Sequence, residues 1–161
     1  MECDTIERRV AMKLRYTVSL FMVMGVLTYG RTPIISLCRE NGTIGHLCYM
    51  FCHSSLLHYL LNGISWCVMW NNVTVARTLW AWLMAVVVGY VLPYGTPVCG
   101  WSVILYFYLG MMMRLMASDV RLRLLALTLI GLLIPGIAVW HHVMMMVCGY
   151  VGEWCRRRWA I

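Results

Sequence analysis

Charge is scarce in this chain. Only 12% of its 161 residues are Asp, Glu, Lys or Arg, about half the share in an ordinary soluble domain. That excludes the usual charged surface of a soluble protein. No C-x-x-C pair occurs among the eight cysteines, which argues against a zinc ribbon or a thioredoxin-like motif. Buried thiols that act as small apolar side chains are the plainer reading. No A-x-A-like site follows the apolar run at 16–29, so this run is expected to stay as a first helix rather than leave as a signal peptide. No internal repeat and no low-complexity linker stands out, and the length suits a single domain over 1–161. Paired broken helices and a two-fold repeat are missing as well, which disfavours a small transporter.

What is present is apolar. Hydrophobic residues make up 62% of the chain, and the mean hydropathy is +0.76. The expected class is an all-α polytopic membrane protein in contact with the lipid bilayer. Six segments approach the roughly 20 residues that cross a bilayer: about 14–30, 46–70, 74–92, 98–117, 120–134 and 138–155. "IPG" at 134–136 separates the last two, because Pro removes a backbone donor and Gly favours a turn. With both termini on the cytoplasmic side, eleven basic residues fall inside and only Arg31 and Arg39 outside. The net charge of +7 is thereby read as topology signalling, with no nucleic-acid partner. Trp70, Trp80, Trp82, Trp101, Trp140, Trp154 and Trp159 fall mainly near segment ends, as an aromatic belt would. Asn41-Gly42-Thr43 matches a weak glycosylation pattern in the longest outer loop, about 31–45.

Polar residues within these segments are the candidates for function, since ionisable groups at membrane depth are costly. The second segment carries H-x4-H-x3-N at His53, His58 and Asn62. At about 100° per residue, His58 and Asn62 share a helix face, with His53 turned away from it. The fourth carries Ser102, with Tyr106 and Gly110 following at intervals of four, and the sixth begins with His141 and His142. Each has a bland reading: a helix-bonded serine, or an interfacial histidine. Together they supply a nucleophile, a base and oxyanion donors. Asp119 and Glu153 lie at the inner side, so a catalytic group here would be a Ser–His dyad without an acid.

The motifs "HSSLLHYLLN", "GWS" with Tyr106 and Gly110, and "HVMMMVCG" resemble those of the rhomboid family of intramembrane serine proteases. The resemblance spans about 14–155. It implies a six-transmembrane-helix bundle with a water-filled cavity opening outward. It implies Ser102 as nucleophile and His142 as general base and acid. His58, Asn62 and the Ser102 N–H would line the oxyanion hole, His53 would support it, and Tyr106 would pack on the His142 ring. It further implies a serine-type endopeptidase that cuts transmembrane protein substrates near their outer ends, placed as a multi-pass protein in a bacterial cytoplasmic membrane, with no cofactor and no metal. Val103 and Met145 stand where the family usually has Gly, and Met145 is expected to loosen packing between the fourth and sixth segments.

Other readings stay open from sequence. "VCG" offers Cys99 as the nucleophile in a second register. A catalytically silent rhomboid-like protein that binds transmembrane helices is the alternative function. Four histidines make a haem or metal protein thinkable, although that leaves Ser102, Tyr106 and Asn62 without a role.

Overall fold

Two hydroxyl caps set where the main helices begin. The Ser55 hydroxyl accepts the His58 N–H at 3.1 Å, and the Thr74 hydroxyl accepts the Arg77 N–H at 3.2 Å. Each satisfies a first-turn donor that the helix itself leaves open. The computed structural model describes residues 39–69, 72–92, 97–130 and 138–159, together with residues 9, 12, 13, 16, 19, 20, 23–25, 36 and 37. Within these the chain is mostly helical: α1 Gly42–Cys48, α2 Leu56–Val68, α3 Val75–Val91, α4 Ser102–Met113, α5 Ser118–Ile130 and α6 Val139–Trp159. Short 3-10 turns at Arg39–Asn41 and Tyr49–Phe51 flank α1.

The six-span bundle expected from composition is not what these residues form. No helix among the described residues is both long and apolar enough to cross a membrane. The expected second segment, 46–70, breaks at Cys52–Ser55, so α2 has 13 residues, about 20 Å at the helical rise against about 30 Å of hydrocarbon. The expected fourth segment, 98–117, begins only at Ser102, and α4 has 12 residues. The 17 residues of α3 carry Arg77 in the first turn. The 21 residues of α6 are long enough but include Glu153 and Arg156–Arg158. The membrane-spanning class, both cytoplasmic termini and the multi-pass placement in a bacterial membrane are corrected on this ground. The arginine asymmetry no longer reports a topology once the spans between its groups are lost. The expected first segment, 14–30, and the turn at 134–136 lie largely or wholly outside the described residues.

At the centre, α4 is covered by α2, α3 and α6. It meets α6 backbone to backbone: a Cβ at Gly110 would collide with the Met146 carbonyl, and a Cβ at Gly149 with the Phe107 carbonyl. Two reciprocal glycines let the helices close to this distance. Met145 is fully buried beside them, so the expected loosening is also corrected; the flexible thioether fills the space without parting the helices. Trp66 on α2 meets Trp101 and Tyr108 edge to face at 5.3 and 5.7 Å. Trp101 is therefore core rather than belt, at 1% exposure. Thr78 Oγ1 and Tyr108 OH lie 2.8 Å apart and join α3 to α4, and Tyr49 OH donates to the Ala85 carbonyl at 2.9 Å.

One small β contact was not anticipated. Leu37 and Val98 exchange backbone hydrogen bonds of 2.8 and 3.0 Å in an antiparallel bridge. It anchors the approach to Gly100, whose φ of +122° is open to glycine at no steric penalty. The chain then turns sharply into α4.

Candidate active site

The turn at Gly100 places Ser102 at the first position of α4, where backbone N–H groups lack partners inside the helix. Ser102 Oγ lies 2.8 Å from His142 Nε2, across the α4–α6 contact. The glycine pair that brings α4 and α6 together therefore also sets this distance. Tyr106, one turn below Ser102, stacks on the His142 ring with centroids 4.5 Å apart and planes 17° from parallel. The ring is thus fixed on one face by an aromatic and at one edge by the serine. His142 borders the cavity but is largely surrounded by protein. Loss of water contact, reinforced by His141 and His58, pushes its pKa down to about 4. The imidazole is neutral at pH 7 and can accept a proton at Nε2.

Gly100 has a second role. A Cβ there would come within 2.5 Å of His58 Cε1 and 2.7 Å of His58 Nε2. Its absence lets the His58 ring lie over the 99–102 turn. Ser54 Oγ is 3.1 Å from His58 Nδ1; when it donates there, Nε2 carries the remaining proton and becomes a donor. Burial lowers the His58 pKa as well. Asn62, one turn along α2, is 5% exposed, and its Nδ2 has no hydrogen-bond partner among the described residues. A buried amide donor left without a partner is uncommon enough to need a reason. A cavity of about 480 Å³ supplies one, since Asn62, His58, Ser102, Tyr106 and His142 all line it. Leu57, Leu61 and Val139 form its apolar wall.

The structure thus brings together five of the six site residues read from sequence. The sixth, His53, is 1% exposed and does not line the cavity. Its Nε2 accepts the Trp101 N–H at 3.5 Å, and its ring meets His58 edge-on at 5.1 Å. It props the turn from behind. Burial and the neighbouring His58 lower its pKa to about 4. His141 is turned into the protein at 2% exposure, so the two adjacent histidines separate cleanly. Cys99 lines the cavity, but the imidazole Nε2 is bonded to Ser102. Sequence reasoning missed Ser54 and the reach of Gly100. Ser54 lies four residues before His58, within the quoted motif; Gly100 was visible only as a letter of "GWS" and of "VCG". Among the described residues no group of three or more His, Cys, Asp or Glu is placed to hold a metal.

No protein family, curated protein or solved structure matches the chain.

Proposed function

We propose that this chain is a serine-type peptidase working through a Ser102–His142 dyad. The observation that carries the reading is the 2.8 Å contact between Ser102 Oγ and His142 Nε2 at a cavity lined by an unpartnered Asn62 amide. A neutral imidazole takes the serine proton as Oγ attacks a carbonyl carbon. The developing oxyanion is met by Asn62 Nδ2, by His58 Nε2 with Ser54 holding the opposite nitrogen, and by the Ser102 N–H at the helix start. The protonated His142, stacked on Tyr106, gains from the ring face and then returns its proton to the leaving amine. Water repeats the sequence on the acyl-enzyme. The wall of Leu57, Leu61 and Val139 favours an apolar side chain beside the scissile bond. The motif resemblance to rhomboid proteases supports the same assignment of roles.

The test is cleavage of apolar helical peptides and an unfolded protein by wild type, Ser102→Ala, His142→Ala and Cys99→Ala side by side. The reading expects loss in the first two variants and retention in Cys99→Ala. Loss in Cys99→Ala with retention in Ser102→Ala would move the nucleophile to the thiol. Failure of every folded form to cleave would favour the silent, binding-only alternative.

A further inference from the structure

Two cysteines lie beside this site that the proposed reaction does not use. Cys52 follows the 3-10 turn before α2, and Cys99 precedes Gly100. The two segments are laced together: the Gly100 N–H donates to the Tyr49 carbonyl at 3.1 Å, and the Cys52 thiol reaches that same carbonyl at 3.1 Å. One residue further on, the Trp101 N–H donates to His53 at 3.5 Å. This crossing brings the two residues side by side, since the Cys52 thiol and the Gly100 N–H, one residue from Cys99, meet at the same carbonyl. Both thiols are free. They differ in access. Cys52 has no exposure, whereas Cys99 is half-buried and lines the cavity beside Ser102.

They also differ in acidity. The neighbouring Cys52 thiol is the largest influence on Cys99 and lowers its pKa; burial opposes this, and the Ser54 backbone adds to the lowering. The same contact, followed by burial, pushes Cys52 up. The accessible sulfur is the one whose thiolate is stabilised, and thiolate character with access is what makes a cysteine reactive.

We infer that Cys99 and Cys52 form a thiol–disulfide exchange site for small disulfides of the glutathione class, with Cys99 as the attacking sulfur and Cys52 as the resolving one. The Cys99 thiolate attacks one sulfur of the incoming disulfide, forming a mixed disulfide and releasing one small thiolate. Cys52 gives its proton to a departing thiolate and attacks the Cys99 sulfur. The Cys52–Cys99 bond forms, the mixed disulfide breaks, and a second small thiolate leaves and takes its proton from solvent. The small disulfide is reduced to two thiols and the protein pair is oxidised. While the mixed disulfide persists it occupies the cavity in front of Ser102; that consequence alone rests on the peptidase reading.

Peptide mapping tests the site without requiring activity. The native protein is treated with oxidised glutathione, quenched in acid, and its remaining thiols are alkylated under denaturing conditions. Wild type is expected to lose the two free thiols of Cys52 and Cys99 and to yield a single cross-linked peptide pair joining them. In Cys52→Ser the reaction should stop at a glutathione adduct on Cys99. The exposed Cys67 is the internal comparison. Glutathione on Cys67 with Cys52 and Cys99 still free in wild type would overturn the proposal, as would a cross-link that pairs either residue with another cysteine. The wild-type map decides even if a variant fails to fold, and it stands whether or not Ser102 proves to be a nucleophile.

Discussion

Asn62 shows how a single side chain can be at odds with stability and at home in a mechanism. Its amide is buried with no partner for Nδ2, an arrangement that costs about 1–3 kcal/mol in a folded protein. Asn62→Ala should therefore leave thermal unfolding unchanged or slightly raised, while peptidase turnover falls by roughly 10²–10³-fold, the usual loss for one oxyanion donor. A drop in Tm with turnover intact would assign Asn62 to structure alone. His142 carries a prediction in pH. Its pKa is lowered to about 4, from an ordinary 6.5, mainly by burial. The base must be neutral, so activity is present above the pKa and lost as pH falls through it. The acid limb of kcat/KM, which reports the free enzyme, should have its midpoint near 4 rather than near 6.5. A midpoint in the ordinary histidine range would mean that water reaches the ring freely. The polar residues of the site were legible in the sequence because each interrupts an apolar run. Ser54 was not, because a hydroxyl near a helix start has an ordinary capping use; here the neighbouring Ser55 caps and Ser54 holds His58.

The elements depend on three glycines and one ion cluster. Gly149→Ala would drive a methyl into the Phe107 carbonyl. Overpacking of this kind usually costs about 1–3 kcal/mol, and here it should also lengthen the Ser102–His142 contact, so Tm and turnover should fall together. Gly100→Ala combines a φ of +122° with a clash against His58, and should destabilise by more than about 1 kcal/mol. At the far end of α6, Glu153 is buried and accepts hydrogen bonds from Arg156 and Arg157 at 2.7 Å. The Arg156 hydrogen bond, followed by that from Arg157 and the charge of both against the opposing effect of burial, holds its pKa near 2, from an ordinary 4.5. A depressed carboxylate contributes stability that is complete above the unfolded value and fades as pH drops from about 4.5 towards 2. Unfolding followed across that window should show wild type losing stability and Glu153→Gln losing much less. Equal slopes would show that the cluster contributes nothing. The start of α3 at Val75 was readable in advance because Thr74 stands before an apolar run. The break at Cys52–Ser55 was not, since His53, Ser54 and Ser55 read as polar interruptions of one span until the Ser55 cap is recognised.

For the whole molecule, composition spoke about hydropathy and was heard as length. Part of the apolar excess lies on outward-facing side chains, among them Leu56, Leu57, Ile64 and Val68 on α2 and Val75, Leu79 and Val91 on α3. Among the described residues it does not lie in any helix both long and apolar enough to cross a bilayer. Hydropathy counts such residues without seeing the caps, the Gly100 turn or the Leu37–Val98 bridge that shorten the helices around them. The helical class was legible, and so was the order in which the site residues arrive from α2, α4 and α6. Their meeting depends on the α4–α6 approach, which spacing can only suggest. The central claim is that this approach turns Ser102 into a nucleophile, and a fluorophosphonate tests it most directly, because it needs no knowledge of the substrate. Intact mass and peptide mapping after labelling should place one phosphonyl adduct on Ser102 in wild type and in Cys99→Ala. No adduct should appear in Ser102→Ala or in His142→Ala. Labelling that persists undiminished in folded His142→Ala, or that settles on another residue in wild type, would contradict the dyad.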